Sequence, residues 1–348
     1  MLAVTLAVGG LMATAARQAS AQDYITAVSV FLRGTASKTG IKRATLAPGD
    51  SLFTRTVAPK PGWLPVRTMD GRTGWVGEAT VRSLAAIAAS AATAVLTAPG
   101  GAAFTRIDST WAKPPIERST IRVQDGALGC GPIGNDAKDD GTNLNKNRAD
   151  IPSSSHLVTV EAIRSLPDTA LWRFAGRKKW TRPDSALVFP YEGIPLTVEG
   201  FFEVVKPQNK KPGESPNCNS WLELDTDWHV ALVADPSETE DRGVVVEPTP
   251  RTKRNNVGWD AKAVGRFAVR RNREAPRIES NAERVRVTGF LMLDPVHPDH
   301  IAGKCVGAAC ATRKFYRATL WEIHPVTRIE VFRGGQWVNL NDLPPPPP

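Results

Sequence analysis

The sequence predicts a mainly β chain made of two successive barrels, a small one followed by a five-stranded one with a helix between strands three and four. Two patterns carry this prediction. Residues 27–84 alternate short apolar runs with Gly- and Pro-marked turns, the rhythm of a small all-β barrel. Further on, five segments of strand character follow one another at 197–205, 228–233, 244–247, 285–293 and 318–323, and a stretch of helix formers at 260–271 separates the third from the fourth. That order is the order of an OB-fold, a Greek-key barrel. The 348 residues leave room for two or three units. With 41% hydrophobic and 23% charged residues the chain is neither disordered nor fibrous.

Residues 1–21 read as an export signal, an apolar run ending in Ala19-Ser20-Ala21, the small-x-small pattern that signal peptidase cleaves. The expected location of the mature chain is therefore the periplasm or the exterior. Four cysteines, Cys130, Cys218, Cys305 and Cys310, suit an oxidising compartment as two disulfides, with three connectivities open. Cys305 and Cys310 flank a short Gly/Ala loop that can close on itself, which would leave Cys130 to Cys218. Their spacing lacks the paired knuckles of a structural zinc module.

In residues 22–84, Val30-Phe31-Leu32-Arg33-Gly34, Leu46-Ala47-Pro48-Gly49-Asp50, Gly62-Trp63-Leu64-Pro65-Val66 and Asp70-Gly71-Arg72-Thr73-Gly74-Trp75-Val76 stand in the order of a known strand and turn pattern. This segment resembles the bacterial SH3 (SH3b) family. The resemblance implies an SH3-like small barrel that attaches to cell-wall peptidoglycan or its peptides. It departs from the family at Phe31, where Asn is usual, and at Gly34-Thr35, where Gly-Pro is usual. Trp63 and Trp75 are the candidate contact residues, because a ring offers large contact area at small entropic cost. Packing in a small core is the competing use of both.

Residues 85–115 form an Ala-rich linker, too poor in strongly apolar residues to read as a membrane helix. An irregular connecting region with short helices follows at 116–195, then the OB-like barrel at 196–333 and a Pro-rich tail at 334–348. Several stretches of the C-terminal half, among them Leu144-Asn145-Lys146-Asn147-Arg148, Glu214-Ser215-Pro216-Asn217-Cys218, Asp227-Trp228-His229-Val230 and Leu320-Trp321-Glu322-Ile323-His324-Pro325, resemble an uncharacterised family of exported bacterial proteins with OB-like barrels. That resemblance implies a fold and no activity.

Chemistry must come from side-chain alternation. On the 228–233 strand Asp225, Asp227 and His229 share one face, and Trp228, Val230 and Leu232 the other. On the last strand Glu322 and His324 lie opposite Trp321 and Ile323. Two strands thus each carry an acid-x-His step. If the barrel joins them, Asp227, His229, Glu322 and His324, with Glu247, form a His and carboxylate cluster suited to zinc or another divalent metal. A structural polar network is the alternative use of the same residues, and no cofactor is required by it.

The 44 Lys/Arg exceed the 35 Asp/Glu by nine. Residues 251–286 hold eleven Lys/Arg against four acids, so this stretch, with Arg251, Lys253, Arg254, Arg266, Arg270, Arg271 and Arg273, reads as a patch for a polyanion. A solvated basic surface is the plainer reading. The 227–233 segment also resembles the His strand of NlpC-type and CHAP wall peptidases. Those need a Cys on a helix, and Cys130 lies in a Gly-Cys-Gly-Pro turn.

Three functions follow from the sequence, in this order: an exported envelope protein that binds peptidoglycan, an envelope protein partner or a polyanion without catalysis; a metal-dependent hydrolase built on the two acid-x-His strands; and a cysteine peptidase of the cell wall.

Overall fold

The computed structural model describes residues 24–26, 29–46, 50–55, 57–68, 71–83, 94–116, 133–135, 141–172, 176–208, 213–254, 256, 259–270, 275–301 and 314–344. The leader at 1–21, Cys130, Cys305, Cys310, Arg271 and Arg273 lie outside them.

The first unit is an antiparallel SH3-like sheet of β1 (Tyr24–Thr26), β2 (Val30–Arg33), β3 (Lys42–Leu46), β4 (Ser51–Thr54), β5 (Trp63–Thr68), β6 (Thr73–Gly77) and β7 (Val81–Ser83), ordered β3-β2-β6-β5-β4-β1-β7. Its strands are short and alternate, so each gives one apolar face. Leu32, Leu46, Leu52, Leu64, Val66 and Val76 form the core. Trp63 and Trp75 are half-buried and belong to the other face.

The second unit begins earlier than 196. Strand β8 (Ala94–Leu96), within the Ala-rich stretch read as a linker, pairs parallel with β9 (Ser154–Val158), which pairs parallel with β10 (Pro195–Pro207). The barrel proper consists of β10, β11 (Trp228–Val233), β12 (Val244–Val246), β14 (Arg284–Leu293) and β15 (Trp321–Arg333). Hydrogen bonding runs β10-β11-β12-β15-β14 and back to β10, with β12 and β15 parallel and every other pair antiparallel. This is the closed OB-like circuit. The long β10 makes it possible by pairing with β14 through residues 195–201 and with β11 through 201–207. At the change of partner, a Cβ on Gly200 would lie 2.4 Å from the Val233 carbonyl oxygen, so only glycine lets the strands approach.

Two elements differ from expectation. The helix between strands three and four is only α5 (Ala261–Gly265), preceded by α4 (Pro250–Arg254), and the rest of the stretch becomes β13 (Ala268–Arg270), pairing parallel with β10. Phe267, Ala268 and Val269 are all buried, and an extended segment against β10 buries them better than one helical stripe would. The last strand runs through Pro325 to Arg333, where it meets β16 (Gln336–Asn339), instead of ending at 323. The missing proline N–H is tolerated because the β14–β15 register shifts there. A Cβ on Gly289 would come within 2.4 Å of the Pro325 oxygen.

Three further helices, α1 (Thr142–Lys146), α2 (Val160–Arg164) and α3 (Arg182–Val188), pack around the barrel. Inside it, Trp228, Val230 and Leu232 meet Val244, Val246, Trp321 and Ile323. Both buried indoles donate to backbone oxygens, Trp228 to Glu223 and Trp321 to Pro167, which removes the cost of burying their N–H groups. Among the described residues no helix is long and apolar enough to cross a membrane.

Candidate metal centre on the outer face of the OB-like barrel

Strand register builds this site. Val230 lies opposite Val246, and Val246 beside Ile323, all three facing the core. One residue further along each strand, His229, Glu247 and His324 therefore come side by side on the outer face. Asp227, two residues before His229, shares that face, as does Glu322 two residues before His324. All five residues singled out in the sequence as a metal set are brought together.

Glu247 sits between two imidazoles. Its Oε1 is 3.0 Å from His229 Nε2 and its Oε2 is 2.9 Å from His324 Nδ1. His324 Nδ1 also meets Glu322 Oε1 at 3.2 Å. That leaves His324 Nε2 on the side of Asp227, whose Oδ2 is 3.9 Å away. Single donor atoms of Asp227, Glu247 and His324 all lie within 4.8 Å of one another, about the span that one ion bridges. Both oxygens of Asp227 and His324 Nε2 are buried without a hydrogen-bond partner, while the Glu247 oxygens are taken up by the two imidazoles. An unsatisfied buried polar atom costs roughly 1–3 kcal/mol, so three in one place call for a cause. A divalent cation fits: the set offers two carboxylates and one imidazole, the donors zinc and similar ions take.

An outer face is buried here because other segments cover it. Lys146 at the end of α1 is buried among Glu247, Asp294, Glu214 and Glu322, whose charges outweigh its own burial and raise its pKa well above the ordinary lysine value. Arg317 Nη1 reaches Asp294 Oδ2 at 3.0 Å and Glu322 Oε2 at 3.4 Å, all three groups fully buried. Asp294 also accepts from His297, and His297 stacks on His300, with ring centroids 4.9 Å apart. The edge of His297 meets His229 at 6.2 Å. Four of the five histidines thus gather in one site; the fifth, His156, stacks on Trp111 elsewhere.

The charges shape one another. Five carboxylates, Glu214, Asp227, Glu247, Asp294 and Glu322, surround two permanent cations, Lys146 and Arg317. Burial works against a proton on His324, yet Glu247 and Glu322 hold it there up to about 10. Burial likewise opposes a charge on His229, and Glu247 and Glu214 outweigh it, raising its pKa. Glu247 is kept well below the carboxylate range, against its burial, by His229, His324 and Lys146. Burial raises Glu214. His300 falls to about 4, through burial and then the charges of His297 and Arg317. The cover is not complete on the side of His229 and His297, whose side chains are 14% and 29% exposed.

Among the described residues of the predicted polyanion patch, Arg251 and Lys253 are placed otherwise. Arg251 is buried and donates to Asn147 Oδ1 at 2.6 Å and to the Pro216 oxygen at 3.2 Å, fastening α1 to the turn after Glu214. Lys253 is buried and donates to the Glu223 and Thr226 oxygens, which fixes the approach to Asp227. Arg270 pairs with the buried Glu203, as does Arg277. Arg266 reaches the Pro344 oxygen. Satisfying internal carbonyls and an amide oxygen draws Arg251 and Lys253 inward, so these two serve as scaffold for the site.

Sequence reasoning missed Lys146, Glu214, Asp294, His297, His300 and Arg317. A signal existed for most of them. Lys146 and Glu214 stand inside the Leu-Asn-Lys-Asn-Arg and Glu-Ser-Pro-Asn-Cys motifs, and Asp294 with His297 and His300 forms an Asp-x-x-His-x-x-His step. Cys218 is disulfide-bonded, with its backbone in the left-handed region at φ 57°, at the end of the turn carrying Glu214. The candidate nucleophile Cys130 lies outside the described residues, and the His it would need faces Glu247 and Glu214.

Compared with known proteins, the chain finds no matching family model, curated protein or solved structure.

Proposed function

We propose that the chain is an exported metal-dependent hydrolase whose centre is held by Asp227, Glu247 and His324. The observation that supports this reading is the convergence of buried donor atoms of Asp227, Glu247 and His324, from the ends of two strands and the middle of a third, within 4.8 Å of one another, with Asp227 and His324 Nε2 unpartnered. Three protein ligands fit a catalytic rather than a closed structural site, which would take four. A bound ion supplies Lewis acidity and activates water near neutral pH. Glu247 and Glu322 hold His324 through Nδ1, so that Nε2 would be the atom it offers an ion, the usual division of labour in such sites. His229, partly exposed and beside Glu247, is placed to pass a proton between the centre and solvent. The test is elemental analysis with thermal denaturation. Purified protein is expected to hold one divalent ion per chain, to lose stability in chelator and to cleave a generic ester or phosphodiester only when loaded. No ion after loading with zinc, manganese or magnesium would sink the reading. An ion without hydrolysis would reduce it to a structural metal site.

A second reading concerns the SH3-like unit. Trp63 and Trp75 lie off its core and face outward, which supports their use as a contact surface for the cell envelope. Sedimentation of the whole chain with insoluble peptidoglycan, lost in the Trp63→Ala and Trp75→Ala variants, is the expected result.

A further inference from the structure

The outer face of the SH3-like sheet interleaves rings and cations. Leu32, Leu52, Leu64, Val66 and Val76 point to the core, so the alternate positions point out. In register, Lys42 stands opposite Arg33, Arg33 opposite Trp75 and Trp75 opposite Pro65, a row across β3, β2, β6 and β5. A second row joins Thr73, Arg67 and Phe53 across β6, β5 and β4. Lys42 Nζ lies 3.8 Å from the centre of the Phe31 ring, with the Arg33 guanidinium 5.6 Å from the same ring. Arg67 covers Phe53 at 4.8 Å, and Lys60 stands 5.9 Å from Trp75. The five strands β2 to β6 contain no Asp or Glu, and residues 24–83 as a whole carry nine Lys/Arg against three acids. This surplus of six nearly equals that of the 251–286 stretch, where Arg251, Lys253 and Arg270 are turned inward.

We propose that this face binds single-stranded nucleic acid. The inference rests on the reading of this face as the ligand surface of the unit and names its ligand. Cations spaced over a sheet attract a phosphate backbone, and rings between them give each base a stacking platform. A base stacked on a ring gains more than an exposed cation over the same ring. A base therefore displaces Lys42 from Phe31, and the freed ammonium turns to the phosphate. A polymer with phosphates but no planar groups would use only half of this surface, and a neutral peptide would leave the cations idle.

The experiment uses the full chain, a fluorescently labelled oligothymidylate, inorganic polyphosphate as competitor, and insoluble peptidoglycan. Anisotropy is expected to show binding that weakens steeply with salt. Phe31→Ala and Trp75→Ala should each lower affinity about ten-fold, in line with the stacking gain, and Lys42→Gln should flatten the salt slope by about one. Arg242→Gln, an exposed cation of the other barrel, should change nothing. Circular dichroism checks that each variant is folded. Absence of binding at low salt overturns the proposal. So does binding that polyphosphate matches and the ring variants leave unaltered, which is ion exchange. Sedimentation with peptidoglycan at high salt without oligonucleotide binding overturns the nucleic-acid ligand while leaving the wall-binding reading intact.

Discussion

On the SH3-like barrel Lys42 and Arg67 lie over rings on an open sheet face, while in the OB-like barrel Arg317, Lys146 and Arg251 sit below the surface among carboxylates and carbonyls. Both regions are rich in basic residues by sequence. What separates them is the supply of acids and backbone oxygens around them. The small sheet has none of the former in its central strands, so its charges stay outward. The larger barrel brings Asp294, Glu322, Glu247 and Glu203 beneath covering segments, and its cations follow them in. The same residue type therefore has very different worth in the two places.

The largest expected effect comes from breaking a buried set. Arg317→Met removes the cation that Asp294 and Glu322 share by direct contact in a fully buried setting, and should destabilise by about 3–5 kcal/mol, measured by urea unfolding. If the loss is under about 1 kcal/mol, water reaches these carboxylates and the contrast between the barrels collapses. Next in size is the ion itself. At a hundred times its dissociation constant, a ligand of the native state stabilises by about 2.7 kcal/mol. Zinc or manganese should raise the unfolding midpoint accordingly in the wild type and leave Glu247→Gln unmoved.

A smaller effect concerns pH. His300 accepts its proton near 4 when folded and near 6.5 when unfolded. Its neutral form thus contributes stability that is whole above pH 6.5 and is lost as pH falls through 4. The raised pKa values of His229 and His324 act in the opposite sense, fading as pH rises above 6.5. Comparing wild type with His300→Gln isolates the first contribution, and the variant should lose less stability between pH 7 and 4. Equal losses would mean that His297 and Arg317 do not press on that ring. The smallest effect closes the comparison: Lys42→Gln should change stability by less than about 0.5 kcal/mol, because its charge is displayed and not enclosed.

Much of the larger barrel was legible. The 228–233 strand has the expected bounds, since its alternation continues unbroken from Trp228 to Val233 and one face is core. The acid-x-His steps were visible for the same reason, as alternation places Asp227 with His229 and Glu322 with His324 whatever the fold. Their meeting was not visible, because it depends on the parallel β12–β15 pairing, a long-range choice that local pattern does not encode. The cover was also hidden. Lys146 and Glu214 come from a helix and a turn far from the strands, and only packing shows that they point into one place. The inward placement of Arg251 and Lys253 was not visible, because a count of charges says nothing about where their partners lie. For the SH3-like unit, the sequence leaves Trp63 and Trp75 open between core and surface, and the alternation that puts Leu64, Val66 and Val76 in the core puts both rings, half-buried, on the other face.

The parallel pairing of β12 with β15 joins Val246 to Ile323, and among the described residues between them lie α4, α5, β13, β14 and the covering loop with Asp294. During synthesis the chain emerges from its N-terminus, so Asp227, His229 and Glu247 leave the ribosome on a two-stranded ribbon well before His324. Until β15 docks, that ribbon carries Asp227 and Glu247 with His229 but without His324. The site comes into being only with the final strand of the circuit. Ion capture would then coincide with the last long-range step of folding, and a nascent chain stopped short of residue 321 would be both open and unable to hold the ion.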